Sequence, residues 1–367
     1  MTMNEKLSAF HIATLIYMIE NNITLFALPR LVAENMGTNG WVGYIILALV
    51  STGNILLYWA VYRMGKGRSM FDILEKSLSK WILYPLYVGL AIFYIMIASF
   101  VGKNFFLIFQ MISFQTSSVT LIFLLFCVMV YLLLTKHIYN ISKAATIFAF
   151  MTWWTLLLTS YQLREWKLVR LTSYFFEDPA GGQVLHNWAE VYTSFIGYEL
   201  CIFLFPYVNK QSKLFKGVLF GHLLTALAQV IVLLTAFGFF SFQQLQSLLY
   251  PIIDMLDFIE MPFINRVENL VFVIFVFGNL VTTTMFSFAS LSTVKRIFPK
   301  ARPKRLEFFI VLGVFIVGLY SKYLAQSEYQ LRRVLFTEIG IAYILPMLLI
   351  MMLLFQKLRE RTNSHGH

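Results

Sequence analysis

The chain alternates between long apolar runs and short polar connections. Ten runs approach the roughly 20 residues that a helix needs to cross a hydrocarbon layer. They cover residues 10–34, 41–62, 82–111, 119–135, 142–161, 187–208, 215–240, 266–294, 306–322 and 334–356. This pattern predicts an all-α, polytopic membrane protein with ten transmembrane helices. No connection is long enough to separate soluble domains, so we expect a single membrane domain over residues 1–367.

Two predicted external connections are longer than a turn, residues 162–186 and 241–265. The second carries an apolar stripe, Leu245, Leu248, Leu249 and Ile252. Such a stripe predicts a short helix lying against the outer face, where it would serve as a lid.

Composition and charge placement agree with a membrane protein. The chain is 59% hydrophobic and 13% charged, with a mean hydropathy of +0.72, whereas soluble domains are about 25% charged. Most of the 29 Lys and Arg residues lie in alternate connections and in the tail, residues 357–367. The positive-inside bias therefore places both termini in the cytoplasm. It also explains the net charge of +11 without nucleic acid as a partner.

Polar residues interrupt two of the ten runs. Glu20-Asn21-Asn22 lies in the first and Gly197-Tyr198-Glu199 in the sixth. Pro29 follows Asn22 by seven residues, and Pro206 follows Glu199 by the same number. Asn and Gly disturb the helical hydrogen-bond ladder, and Pro lacks an N–H.

The matched interruptions predict two repeats of five spans, about 10–161 and 187–356. Because five is odd, the second repeat enters the membrane from the opposite side. This is the LeuT-like arrangement, in which discontinuous helices one and six build a substrate site near the bilayer midplane. Backbone groups freed inside the bilayer need protein, water or ligand as partners. Alternatively, the prolines only kink packed helices and the polar residues bond neighbouring helices.

A set of short motifs, in this order and spacing, resembles the spore-germination receptor B subunits. These are the endospore germination permeases of the amino acid-polyamine-organocation superfamily. The motifs are Leu28-Pro29-Arg30, Trp41, Gly197-Tyr198-Glu199 with Pro206, Tyr250-Pro251 and Arg266-Val267-Glu268. The resemblance covers essentially the whole chain and implies a LeuT-type fold.

The resemblance also implies partners and a location. It implies that the chain acts with receptor A and C subunits in the spore inner membrane and senses a small nutrient germinant. Members of the family usually carry glycines at the first interruption, where this chain has Asn22 and Thr24. The ligand class, whether amino acid, sugar or nucleoside, therefore stays open.

Candidate ligand-binding residues follow from the two interruptions and from mid-depth polar positions of span eight. They are Glu20, Asn21, Asn22, Thr24, Gly197, Tyr198, Glu199, Asn279 and Thr283. Glu199 ranks first, because intramembrane acids are functional by default. Lys103 either replaces a coupling cation, pairing with Glu20 or Glu199, or reaches toward water at the membrane surface. Arg266 and Glu268 are expected to pair locally at the mouth of span eight.

The sequence favours a receptor over other functions. The six histidines show no metal-binding spacing, no glycine loop cradles phosphate, and no Ser–His or Asp–Asp pair is evident at one depth. We therefore expect no enzyme and no cofactor. The alternative is a proton-coupled permease for an amino acid or polyamine, and a third possibility is a scaffold without ligand. Cys127 and Cys201 lie in apolar runs and are expected to be buried rather than disulfide-bonded.

Overall fold

The structure, a computed structural model, describes residues 6–113, 116–171, 175–177, 183–208, 213–259 and 266–364. From residue 360 to residue 364 only the course of the backbone is described. These residues form α-helices and short 3-10 helices, with no extended strand among them. The α-helices are α1 (Ala9–Glu20), α2 (Leu28–Met36), α3 (Gly40–Met64), α4 (Met70–Ser77), α5 (Lys80–Ile112), α6 (Val119–Leu134), α7 (Ile138–Trp153), α8 (Val184–Tyr192), α9 (Cys201–Leu204), α10 (Leu214–Phe239), α11 (Phe242–Ser247), α12 (Pro251–Asp257), α13 (Val267–Ile297), α14 (Pro303–Tyr320) and α15 (Leu324–Ser364).

Six helices in the described residues are long and apolar enough to cross a membrane. They cover Gly40–Met64, Lys80–Ile112, Ile138–Arg164, Leu214–Phe239, Val267–Ile297 and Leu324–Arg359. The expectation of a multi-pass helical membrane protein is therefore confirmed. The remaining predicted spans correspond to shorter or interrupted helices, so the count of ten stays a prediction.

The first predicted span is interrupted where the sequence indicated. Helix α1 ends at Glu20, and residues 21–24 form a turn. A 3-10 helix, Leu25–Ala27, then leads into α2, whose first turn contains Pro29. We call residues 21–24 the first break. Pro29 suits this place, because the first turn of a helix does not need its missing N–H.

The sixth predicted span is interrupted as well. Helix α8 ends at Tyr192, and 3-10 turns cover Thr193–Phe195 and Tyr198–Leu200. Between these turns Gly197 adopts a φ of 130°, a conformation that disfavours any side chain. We call residues 193–200 the second break. The span ends in α9 and a 3-10 turn at Phe205–Tyr207.

The two broken segments run in opposite directions and touch at their breaks. Leu7, just before α1, donates its N–H to the carbonyl of Tyr207, at the end of the second segment, over 3.2 Å. At the other contact, a Cβ on Gly197 would lie only 2.5 Å from Ile19. A glycine is required there for the two backbones to approach so closely.

Long helices enclose the two breaks. Helix α13 packs along α5, and α1 packs against α10, α7 and α13. Gly217 and Gly221 of α10 face the α1 carbonyls of Ala9 and Ala13, where a Cβ would meet those oxygens at 2.5 and 2.4 Å. Small residues thus let α10 pack closely on α1, as is common between membrane helices.

The predicted lid helix is two short helices, α11 and α12. Leu245 of the apolar stripe is fully buried, whereas Leu249 is exposed. Helix α12 packs on the 3-10 turn after the first break and on α2, and residues 260–265 lie outside the described part. Cys127 and Cys201 are buried and free, as expected.

Candidate functional site at the two helix breaks

The first break leaves carbonyl oxygens at the end of α1, and nearby side chains satisfy them. Asn22 donates its Nδ2–H to the carbonyl of Met18 over 2.5 Å. Thr282 of α13 donates its hydroxyl to the same carbonyl over 3.2 Å. The Asn22 amide lies against Gly278, where an added Cβ would meet Oδ1 at 2.2 Å. Protein groups therefore replace several helical bonds that a ligand would otherwise have to supply.

In the second break, a carboxyl group accepts a hydrogen bond from the backbone of the same break. The N–H of Gly197 donates to Oε2 of Glu199 over 2.8 Å. The hydroxyl of Tyr198 accepts from Nδ2 of Asn54 over 2.7 Å. The second break is thus fastened to α3, and the same Asn54 amide also donates to the carbonyl of Ala342 on α15 over 3.1 Å.

Glu20 pairs with a histidine of α10. His222 Nδ1 lies 3.0 Å from Glu20 Oε1, and His222 Nε2 lies 2.9 Å from the hydroxyl of Ser51. The expectation that no Ser–His pair shares one depth was therefore wrong. The three side chains are fully buried, and Ser51 also donates to the carbonyl of Ala48. This burial and bonding fit an internal clamp joining α1, α3 and α10 rather than a nucleophile open to substrate.

A cavity of about 100 Å³ opens beside the first break. We call it the break cavity. Its walls come from the first break, the start of α2, α5, the end of α8 with Thr193, Tyr250 and α15. The polar residues among its lining are Asn22, Thr24, Arg30, Asn104, Glu190, Thr193, Tyr250, Glu328 and Arg332.

Three buried polar atoms of this lining have no hydrogen-bond partner in the described structure. They are the hydroxyl oxygen of Thr24, Oδ1 of Asn104 and Nε of Arg30, which lies 3.9 Å from Glu34 Oε1 in an ion pair too long for a hydrogen bond. An unpaired buried polar group costs about 1–3 kcal/mol, and such groups are normally satisfied by protein or water. Together these three atoms offer hydrogen-bond donors and acceptors to a small polar ligand.

An ion pair and a hydrogen bond lie at the edge of the break cavity on the side of α15. Arg332 Nη1 lies 3.0 Å from Glu190 Oε1 of α8. Tyr250 donates its hydroxyl to Oε1 of Glu328 over 2.5 Å. These contacts connect α15 with α8 and with the start of α12, so groups on three separate elements meet over the cavity.

The structure distributes the predicted residues among several places. Only Asn22 and Thr24 line the break cavity. Asn21 lines a smaller apolar cavity of about 50 Å³ with Tyr17 and Gln162. Glu20 and Gly197 lie where the end of α1 meets the second break, Tyr198 packs against the His222 ring, and Glu199 bonds to Gly197 within the second break.

The remaining candidates lie apart from the break cavity. Asn279 and Thr283 of α13 bond each other over 3.3 Å, and it is the neighbouring Thr282 that reaches the first break. Lys103 is buried, with Nζ 5.4 Å from the Phe123 ring. The ion pairs of the described residues include neither Lys103–Glu20 nor Lys103–Glu199. Arg266 Nε lies 2.6 Å from Glu268 Oε1, the expected local pair.

Sequence reasoning missed several residues that the structure brings to these places. The sequence marks Arg30 as part of a motif and Arg332 as one of the external basic residues, but it gives no reason to place either of them, Asn104 or Glu190 at a ligand site. Glu338 and His222 are ionisable residues within predicted spans, so the rule that singled out Glu20 and Glu199 would also have found them. Their partners are remote in sequence and are not visible in a single chain read alone.

Fold and site together define a multi-pass helical membrane protein with two broken helices that meet inside the bundle. Residues 6–330 match the family model described as Spore germination protein, so the chain belongs to the spore germination permease family. It is 20% identical to Spore germination protein A2 of Bacillus subtilis (strain 168) over 82% of this chain and 85% of that protein. It is 20% identical to Spore germination protein GerQB of Bacillus cereus over 97% and 98% of the two chains.

A third relative covers less of the chain. Spore germination protein B2 of Bacillus subtilis (strain 168) is 22% identical over 66% of this chain and 67% of that protein. Family membership thus accounts for a role in spore germination and for a membrane location. It also agrees with the resemblance that the motifs indicated, although identities this low leave ligand and partners to be proposed.

Proposed function

We propose that the chain is the nutrient-sensing, transporter-like subunit of a spore germination receptor. A small germinant, such as an amino acid, sugar or nucleoside, binds in the break cavity near the bilayer midplane. Its occupancy favours one of two conformations of the broken segments, and partner A and C subunits respond. The ligand shifts these conformations only by its difference in affinity for them.

The proposed architecture is a single membrane domain of two inverted five-span repeats, about 10–161 and 187–356, with both termini in the cytoplasm and the chain in the spore inner membrane. The opposite directions of the two broken segments, anchored by the contact between Leu7 and Tyr207, support this arrangement. The placement of basic residues supports the orientation.

The observation that carries the ligand site is a set of buried polar atoms without a hydrogen bond, on Thr24, Arg30 and Asn104, around one cavity. The first test replaces Thr24 by Val in spores carrying the chain with its native partners. Loss of one hydrogen bond to the ligand corresponds to about 1.4 kcal/mol, or a roughly tenfold higher half-maximal germinant concentration. Panels of amino acids, sugars and nucleosides serve as probes.

Thr293→Val is the matched control, because Thr293 is buried in α13 and donates only to the carbonyl of Ala289. It should leave the response unchanged. Equal effects of both variants, with equal protein levels, would contradict a ligand at Thr24.

A proton-coupled permease remains the second candidate, favoured by the buried carboxyl groups of Glu199 and Glu338. Liposomes containing only this chain separate the two functions. Accumulation of a labelled solute driven by a proton gradient would establish transport. Under the receptor proposal the chain alone accumulates nothing, and the response requires all three subunits.

A further inference from the structure

The ring of His222 is held by polar groups at both of its nitrogens. Nδ1 lies 3.0 and 3.2 Å from the two carboxyl oxygens of Glu20 on α1. Nε2 lies 2.9 Å from the Ser51 hydroxyl and 3.3 Å from the carbonyl of Ala48, both on α3. Glu20, His222 and Ser51 are each 0% exposed. Both ring nitrogens therefore have protein partners, and these partners decide where the protons are.

The contacts of Nε2 indicate that this nitrogen carries a proton. A carbonyl oxygen only accepts hydrogen bonds, and Ser51 donates its hydroxyl to the Ala48 carbonyl over 3.0 Å. The Ser51 oxygen then has lone pairs left to accept from Nε2 of His222. In the opposite arrangement Ser51 donates to a bare Nε2, which sets that lone pair against the Ala48 carbonyl. A proton on Nε2 satisfies the ring, the hydroxyl and the carbonyl together.

The contacts of Nδ1 then require a second proton. Without one, a lone pair of His222 faces two carboxylate oxygens, and the charge of Glu20 stays buried without compensation. With one, the proton is either on Nδ1, as an imidazolium–carboxylate pair, or on Glu20, as a carboxylic acid bonded to a neutral imidazole. The pair is neutral in both cases. It holds one proton more than a glutamate and a histidine hold in water at neutral pH.

In the part of the chain that the structure describes, no Lys or Arg side chain pairs with Glu20. Tyr44 of α3 interacts electrostatically with Glu20, and the Tyr198 ring of the second break lies 5.9 Å from that of His222. Glu199 bonds to the N–H of the glycine whose added Cβ would lie 3.5 Å from Glu20 Cγ. Helices α7 and α13, which also pack on α1, bring no described Lys or Arg to the pair. The facing groups are thus neutral or acidic.

We propose that Glu20 and His222 form a proton-binding site, which holds one proton between Nδ1 and the carboxyl group while Nε2 keeps its own. The bound proton makes the pair neutral and fastens α10 to the end of α1, beside the second break. Release of the proton leaves a buried anion opposite a lone pair, which weakens this contact. The site is separate from the break cavity and does not depend on the proposed function.

Solid-state NMR and infrared spectroscopy of the full chain in lipid nanodiscs count the protons directly. With isotope-labelled histidine, the His222 signals are those that disappear in His222→Gln. In infrared spectra, the Glu20 band is the one lost in Glu20→Gln. At neutral pH the proposal requires a protonated Nε2, together with either a protonated Nδ1 and a carboxylate or a bare Nδ1 and a carboxylic acid. A bare Nε2, or a bare Nδ1 facing a carboxylate, overturns the proposal.

The identification of the signals does not depend on one variant. If His222→Gln fails to fold, the His222 signals are those that remain when the other histidines are replaced by Gln. These are His11, His137, His186, His365 and His367.

The pH dependence of reversible unfolding in mixed micelles tests whether folding takes up the proton. Unfolding releases it, so the unfolding equilibrium constant should rise about tenfold per pH unit above neutral, until the folded pair also loses the proton. Glu20→Gln can donate its amide to a bare Nδ1 and has no proton to lose, so it should remove this slope. Glu268→Gln is the control, because Glu268 pairs with Arg266, and it should keep the wild-type slope. Equal slopes in the wild type and Glu20→Gln would overturn the proposal.

Discussion

At the residue scale, Asn22 both interrupts a helix and compensates for the interruption. Its side-chain amide donates to the carbonyl of Met18, one turn back on α1. Asn competes well for such local backbone bonds, which is why it is a poor residue for a helix interior. The amide fits only because position 278 of α13 is a glycine. A local sequence choice in the first repeat is thus matched by a glycine some 250 positions further along.

Gly278→Ala should destabilise the protein, because the new Cβ would fall 2.2 Å from Asn22 Oδ1. Overpacking of this kind costs about 1–3 kcal/mol, which thermal unfolding in detergent will detect. Adding Asn22→Gly should restore much of the stability, since Thr282 still donates to the Met18 carbonyl.

Gly89→Ala is the control, because an added Cβ there has no neighbour within 4 Å. It should be neutral or slightly stabilising. A Gly278→Ala variant as stable as Gly89→Ala would show that Asn22 does not occupy this position.

At the element scale, a buried pair fixes α1 to α10. Glu20 is the last residue of α1, and His222 approaches it from the middle of α10. The close packing of α10 on α1 at Gly217 and Gly221 sets the distance between the helices, and the pair sets their register. Removing one partner of a buried pair leaves a desolvated group without compensation, which is more harmful than removing both.

We expect His222→Leu to lower the free energy of unfolding by about 3 kcal/mol, because it strands the Glu20 carboxylate. Glu20→Gln should cost less, and the double variant should cost less than the sum. The coupling energy in the cycle should fall in the range of about 0.5–3 kcal/mol.

The partly exposed pair Arg296–Asp72 provides the comparison, with its nitrogen and oxygen 3.0 Å apart. Its coupling should stay below about 1 kcal/mol. Strictly additive effects at Glu20 and His222 would mean that the two side chains do not interact.

At the scale of the whole molecule, charge placement predicts how the bundle is oriented in the membrane. Residues 295–305 carry a dense basic cluster after α13. Arg296 of this cluster pairs with Asp72 near the start of α4 and thus has a packing role. We expect the other members to favour the predicted orientation through their charge.

Replacing Lys295, Lys300, Arg302, Lys304 and Arg305 by Asn should weaken the orientation while leaving ligand preference unchanged. A reporter fused after residue 367 measures on which side the tail lies, and a measurable fraction should move outside. Replacing an equal number of basic residues from predicted external segments, Arg164, Lys167, Arg170, Lys322 and Arg333, should not invert the tail. A changed germinant preference in the first variant would contradict this separation of roles.

The sequence by itself determined the membrane class, the family, and the positions of both breaks. These follow from apolar run length and from residues such as Asn22 and Gly197, whose backbone preferences act locally. It also indicated Glu20 and Glu199 as candidate functional residues, and this remains a prediction.

Only the tertiary structure decided which groups face each other. Glu20 is paired with His222 rather than with Lys103, Thr282 rather than Thr283 reaches the first break, and the break cavity gathers Thr24, Arg30 and Asn104. These outcomes depend on how the helices are rotated and packed, and one turn of a helix places neighbouring residues on different faces. Partners separated by a hundred or more residues come together through that packing, which no local preference encodes.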